Sequence, residues 1–214
     1  MCSVCSKLEK MYGRPRLGNP EDPLDDLVYV LLSNKSAPER ARQAYEQLKS
    51  DFASWEGVAA APESEIVAVL RPTGFANKRA RQLQLALRRL KDDFGRHSLD
   101  DLKGRSEAEV FEYLTSLNGV SDKVARCVMM YTLGFEVLPV DAHVHRVTRR
   151  LGWTNQERPE NSHEELEALV PPNLRYAFHV DCVAHGRALC RAAQPICEPC
   201  SLKAYCNFYK ASRP

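Results

Sequence analysis

Leu117-Asn118-Gly119-Val120-Ser121-Asp122-Lys123-Val124-Ala125 is the stretch on which the fold turns. Upstream, Ser106 stands three residues ahead of Glu109, a pattern that satisfies the free amides of a helix start, and it predicts a helix from about 106 to 117. Downstream, Val124, Cys127, Val128 and Tyr131 recur at helical spacing, so a second helix starts near Ser121. The whole reads as helix, tight hairpin, helix. Gly119 can take positive φ in such a turn, which lets successive backbone N–H groups and the next helix's N-terminus converge on an anion such as a DNA phosphate. On these residues alone an ordinary helical turn fits equally well.

Outward from the hairpin the same signals repeat. Asp22 precedes Pro23, Ser36 lies three residues before Glu39, and Ser162 three before Glu165, each a helix start. Apolar residues follow at helical spacing in Leu24, Leu27, Val28, Leu31, in Leu83, Ala86, Leu87, Leu90, Phe94, and in Val140, Val144, Val147, Leu151. No segment alternates with period two, and Gly57, Pro72-Thr73-Gly74, Gly95, Gly104 and Pro171-Pro172 fall between the periodic runs. The expected class is all-α. At 214 residues, 44% hydrophobic and 27% charged, the chain has material for one or two packed domains, which excludes a disordered tail. Composition places an internal boundary best in the polar stretch 154–161.

Thirty basic against twenty-eight acidic residues leave +2, so any nucleic-acid binding must come from a local patch. No run reaches the roughly 18 apolar residues of a membrane span, and the first residues lack a secretory signal. A cytoplasmic protein is expected, with no membrane partner. The eight cysteines are then thiols or metal ligands rather than disulfides.

Four of them crowd near the C-terminus, with six residues between Cys190 and Cys197, two between Cys197 and Cys200, and five between Cys200 and Cys206. Four thiolates can hold tetrahedral zinc or a cubane iron-sulfur cluster. The spacing argues for the cluster, because a zinc ribbon presents two Cys-x2-Cys knuckles and only Cys197 and Cys200 form one here. Cys127 and Cys182 read as core thiols, and Cys2 and Cys5 as unordered thiols at the N-terminus. Asp141 stands immediately before an apolar helix; an aspartate there is ordinarily an N-cap, and Lys123 alone is ordinarily a solvated lysine.

In combination these motifs resemble endonuclease III, of the helix-hairpin-helix DNA glycosylases with a C-terminal 4Fe-4S cluster. The resemblance rests on the hairpin with Lys123, on Val140-Asp141-Ala142-His143, and on the cysteine spacing, all in the family's order. It runs from Leu31-Leu32-Ser33 through Cys206. It implies a two-domain fold: a six-helix domain with the hairpin at 24–133, and an iron-sulfur domain built from both termini, 1–23 and 134–214. It implies a 4Fe-4S cofactor on Cys190, Cys197, Cys200 and Cys206, and a monomer acting on double-stranded DNA with a damaged base or abasic site, nucleoid-associated if bacterial.

The family chemistry, carried to these residues, is excision of oxidised pyrimidines followed by strand cleavage. The nucleotide must be flipped out of the stack, and the segment Thr73-Gly74-Phe75-Ala76-Asn77 supplies the wedge that fills the gap, unless Phe75 is packed core. Lys123, its pKa lowered by a helix N-terminus and partial burial, attacks C1′ to form a Schiff base, and elimination then breaks the 3′ phosphodiester. Asp141 stabilises the positive charge that develops on the sugar. Lys35, Asn77, Gly119, Ser121, His143, Arg146 and Arg191 are the remaining candidate DNA contacts, with Arg149, Arg150 and Arg187 extending a basic track.

Three positions depart from the pattern. Ser121 replaces a hairpin glycine, Asp122 stands where a basic residue is common, and Lys35 takes the place of a glutamine. An aspartate beside a phosphate repels it, so these changes imply a divergent paralogue with weak activity or an altered substrate range. Two other readings stay open: a DNA-binding module with the same fold and cluster but little catalysis, and an iron-sulfur electron carrier without a DNA role.

Overall fold

The helix signals become helices throughout residues 2–212, the part that the computed structural model describes, Cys2 by its backbone alone. In order they are α1 (Cys2–Tyr12), α2 (Pro23–Ser33), α3 (Pro38–Asp51), α4 (Trp55–Ala60), α5 (Glu63–Leu70), α6 (Ala76–Phe94), α7 (Glu107–Ser116), α8 (Asp122–Tyr131), α9 (Ala142–Leu151), α10 (His163–Leu169), α11 (Pro172–Ala188) and α12 (Asn207–Ala211). Short 3-10 turns join several of them, and there is no strand among the described residues. None of these helices is long and apolar enough to cross a membrane.

The chain forms two compact units. One spans Asn19–Phe135; the other combines the residues up to Gly18 with those from Glu136 onward. The polar stretch 154–161 therefore lies inside the second unit rather than at a boundary. Its polarity has a local use, since Thr154 Oγ1 donates to Glu165 Oε2 at 2.7 Å and the Gln156 carbonyl meets His145 Nε2 at 2.9 Å.

In the Asn19–Phe135 unit, α2 is buried on nearly every side, from Pro23 to Leu32, because α3, α6 and α8 all pack on it. Asp22 caps it as expected, Oδ1 accepting from Leu24 N and Asp25 N at 2.9 and 3.0 Å. The helix α5 packs on α6, and Ile66, Leu70, Leu87 and Leu90 are fully enclosed. In the other unit α1 lies along α11. Burying Val4 and Leu8 of α1 contributes roughly 3 to 6 kcal/mol for the pair. Cys5 is helical and packed against that core, not an unordered thiol. The side chain of Cys2 lies outside the described residues.

Two of the four expected helix starts behave otherwise. Pro38, with its fixed φ, takes the first helical position of α3, so Ala37 becomes the cap and Ser36 Oγ is buried without a hydrogen-bond partner. Ser162 continues a 3-10 turn directly into α10, and its hydroxyl donates back to Arg158 O at 3.3 Å instead of to the helix start. Ser106 and Glu109 do form the reciprocal capping box.

Candidate nucleic-acid interface and thiol cluster

The hairpin closes through two short turns, Leu117 N donating to Leu114 O and Val120 N to Leu117 O, both at 3.1 Å. Leu117 and Val120 are buried and anchor it, while Asn118 and Ser121 face solvent. Gly119 has φ +85°, and a Cβ there would come within 2.8 Å of Gln82 Cδ, so geometry and space both require glycine. Ser121 is the N-cap of α8 but makes no side-chain cap bond. The first amides of α8 thus point outward at its positive end, the arrangement an anion fits. Asp122 is exposed at the first position of α8, and Lys123 follows it, half-buried.

Gly119 lines an open cleft together with Leu31, Asn34, Lys35, Phe75, Lys78 and Gln82 among others. Lys35 and Phe75 are both left-handed, at φ 58° and 53°. Phe75 caps α6 and is 67% exposed, which removes the packed-core reading and leaves a large ring presented to solvent. Beneath it Thr73 is buried, Oγ1 donating to Leu70 O at 2.7 Å. Asn77 is exposed in the first turn of α6. Arg79, not singled out from the sequence, is buried and donates to the carbonyls of Leu31, Leu32 and Asn34 at the end of α2. It ties α2 to the start of α6 and so holds Lys35 and Phe75 in one cleft.

Asp26 was also not legible as special. It is fully buried in α2, with Oδ1 accepting from Asn19 Nδ2 at 2.6 Å and Oδ2 without a hydrogen-bond partner. Burial pushes its carboxyl up to about 7, opposed by the Asn19 bond and by the positive charge of Lys123.

In the other unit, the segment before Asp141 is pinned at each step. Arg175 Nη1 donates to Glu136 O, Leu138 N donates to Glu167 Oε1, and His179 Nδ1 meets Pro139 O at 2.8 Å. Asp141 then caps α9, Oδ1 accepting from His143 N and Val144 N at 2.8 Å each. The ordinary cap reading of Asp141 is correct, and it coexists with a carboxylate held at a fixed place. Burial holds His143 below the usual imidazole range, with Asp141 opposing and Arg146 and Arg187 assisting. Its Nδ1 meets Arg146 Nη2 at 3.0 Å. A Cβ on Gly186 would strike this pair, so only glycine lets α11 approach α9 here.

The arginines divide by what they hold. Arg146 donates to Cys190 O, Ala142 O and Gly186 O, and Arg150 donates to Cys190 Sγ, Arg191 O and Ala192 O while lying 4.5 Å over the Phe208 ring. Both clamp the cysteine loop, so their guanidinium groups serve the loop first. Arg149, Arg187 and Arg191 are exposed, with Arg191 Nε donating to Ala188 O.

Cys190, Cys197, Cys200 and Cys206 are free and half-buried, and all four line one small apolar cavity with Val147, Leu151, His185, Leu189 and Leu202. Burial raises the Cys200 thiol, and the other three sulfurs add to the rise, so they lie within electrostatic reach of it. Among the described residues no three His, Cys, Asp or Glu side chains converge closely enough to hold a single metal ion. The donor set that lines the cavity is four sulfurs.

Comparison with known proteins gives this arrangement its class. Residues 28–172 match the model of the HhH-GPD superfamily of base excision DNA repair proteins. Endonuclease III of Thermotoga maritima is 30% identical over 196 residues, 92% of this chain and 88% of that protein. Endonuclease III of Synechocystis is 30% identical over 207 residues, 96% and 90% of the two chains. Among solved structures, a non-covalent endonuclease III–DNA complex superposes with TM-score 0.87 at 23% identity, covering 99% of this chain and 95% of the other. A thermostable thymine-DNA glycosylase gives 0.81 at 22%, covering 98% and 96%.

The chain belongs to the HhH-GPD superfamily of base excision DNA repair proteins. Within it, the relatives it matches nearly end to end are endonuclease III enzymes.

Proposed function

We propose that this chain is a bifunctional DNA glycosylase and abasic-site lyase that acts on damaged bases in double-stranded DNA, with Lys123 as nucleophile. The observation that carries the reading is a lysine in the first turn of α8, directly after a hairpin whose helix-start amides are left for an anion. A strand phosphate docks on those amides, with Gly119 giving close backbone approach, and exposed Arg187 and Arg191 of the other unit are candidate contacts to other phosphates. Phe75, with Asn77 and Lys35 beside it, fills the space left by the flipped nucleotide. The amine of Lys123 attacks C1′, the bond to the base breaks, and the resulting imine makes the C2′ proton acidic enough for elimination of the 3′ phosphate. Asp141, held as the cap of α9 and close enough in charge to act on His143, stabilises positive charge on the sugar.

Cys190, Cys197, Cys200 and Cys206 are the residues that would hold a 4Fe-4S cluster, whose contribution when bound is to cross-link the C-terminal segment. Four half-buried thiols lining one apolar cavity, in the spacing that argues against two zinc knuckles, support this reading. Arg146 and Arg150 hold the loop in place for it.

Borohydride reduction on a duplex with one abasic site tests the reading. A covalent adduct with the cluster-loaded protein, absent in Lys123→Ala, is expected. Exposed Asp122 beside the hairpin amides favours a second reading, a binding module with little catalysis; binding to the abasic duplex without any adduct would establish it instead.

A further inference from the structure

We infer that His185 is a positioning residue for Cys200: its ring donates Nε2–H to the Cys200 sulfur, and the Tyr12 hydroxyl of α1 fixes that orientation from the opposite side of the ring. The inference rests on the four cysteines holding a 4Fe-4S cluster.

Three side chains from distant parts of the chain form one line. The Tyr12 hydroxyl meets His185 Nδ1 at 2.9 Å, and His185 Nε2 meets Cys200 Sγ at 3.7 Å, within the longer reach of a hydrogen bond to sulfur. His185 is only 2% exposed and lines the cavity with the four thiols. Most side-chain hydrogen bonds go to backbone or water, as that of His179 to Pro139 O does. His185 is placed between a phenol and a sulfur instead.

Both ends of the line are held. The His185 carbonyl accepts from Leu189 N and Cys190 N at 2.9 and 2.8 Å, so the ring leaves α11 just ahead of the first thiol. On either side of Tyr12, Met11 Sδ accepts from Ser201 Oγ at 2.7 Å and Arg14 N donates to Asp181 Oδ1 at 3.0 Å. Ser201 directly follows Cys200, so α1 grips the Cys200 segment twice.

The direction of each bond follows from sulfur ligation. A cysteine that holds iron is a thiolate with no proton to give, so Cys200 Sγ accepts and His185 Nε2 donates. A buried ring whose nitrogens meet a phenol and a sulfur rather than a carboxylate is neutral and carries one proton, here on Nε2. Nδ1 is then a bare acceptor, and the Tyr12 hydroxyl must be its donor. An N–H aimed at a ligating sulfur draws negative charge from it, which raises the reduction potential of the site and holds the ligand in place. Arg150 Nη1 stands in the same relation to Cys190 Sγ, at 3.2 Å.

Four cluster-loaded proteins test the inference: the parent, Tyr12→Phe, His185→Gln and His185→Leu. Film voltammetry gives the reduction potential of each, and loss of brown absorbance in a chelator gives iron retention. Glutamine can place an amide N–H where Nε2 stands; leucine cannot donate. In His185→Leu the potential should fall and retention drop by about tenfold or more, while His185→Gln should stay near the parent. Tyr12→Phe removes one oxygen and leaves the packing of α1 in place, and its potential should fall part of the way. In nitrogen-15 spectra of the loaded parent, the His185 signals, assigned by their loss in His185→Gln, should show the proton on Nε2. A Tyr12→Phe potential equal to the parent's, equal losses in the glutamine and leucine variants, or a ring proton on Nδ1 overturns the inference. A parent protein that carries zinc or no metal after anaerobic purification overturns the cluster reading instead.

Discussion

Replacing Asp26 by leucine should make the protein more stable, by an amount that grows with pH. In the folded chain the Asp26 carboxyl is pushed from the ordinary 3.8 up to about 7 by burial, whereas in the unfolded chain it ionises near the ordinary value. Between those limits the folded state holds a proton that the unfolded state has lost, so stability declines as pH rises. The slope for one such group is about 1.4 kcal/mol per pH unit, hence about 3 kcal/mol between pH 5 and the point near 7 where the folded carboxyl also ionises. Asp26→Leu removes that slope and adds a pH-independent gain from apolar burial. Urea denaturation followed by circular dichroism at pH 5, 6, 7 and 8, on cluster-matched samples, measures the difference between variant and parent. That difference should widen by about 3 kcal/mol from pH 5 to 7 and then stay level, with other titrations cancelling between the two chains. A constant difference across the range would refute the burial argument.

Gly119→Ala must adopt a left-handed conformation and displace Gln82, which should cost about 1 to 2 kcal/mol in urea melts and weaken duplex binding in gel shifts. At Asp141 the cap and the charge separate cleanly: Asp141→Asn retains the cap, Asp141→Ala loses about 1 kcal/mol with it, and both should lose strand cleavage on an abasic duplex. If Asp141→Asn cleaves normally, the charge has no catalytic part. Phe75→Ala should alter stability by no more than about 0.5 kcal/mol, since the ring is mostly exposed, yet lower affinity for abasic duplex. Cys197→Ser should abolish the brown absorbance of the cluster and expose the segment after Cys190 to protease, which a zinc-free, cluster-free fold would not show.

Much of the fold is periodic, and period was what the sequence showed. The hairpin, the capping box at Ser106 and the cap at Asp141 are local devices, decided by residues within one turn of each other, and they stand where they were expected. Misjudged starts at Ser36 and Ser162 were overridden by neighbours: Pro38 displaced one and a preceding 3-10 turn the other. Asp26 escaped notice because Asp25-Asp26 near a helix start looks like a solvated acidic turn. Only tertiary packing, with three helices around α2, encloses the second aspartate while Asp25 reaches Lys49 and Trp55. Arg146 and Arg150 looked like members of a basic track because charge is visible in sequence and carbonyl acceptors about forty residues away are not. The boundary that composition placed at 154–161 failed for a related reason: polarity marks solvent, not the edge of a unit.

The unit that contains the four thiols begins with α1 and resumes only at Glu136. On a ribosome, α1 emerges before α2–α10 and its docking partner α11 only after them, so at about 5–20 residues per second α1 waits on the order of ten seconds for its place. Through that interval Val4 and Leu8, later enclosed, are open to chaperones and to other chains. The Asn19–Phe135 unit, being continuous, can meanwhile fold. Maturation thus has a built-in order, hairpin before thiols: a newly made chain would complete the helices of the Asn19–Phe135 unit before the segment with the four clustered cysteines had left the exit tunnel.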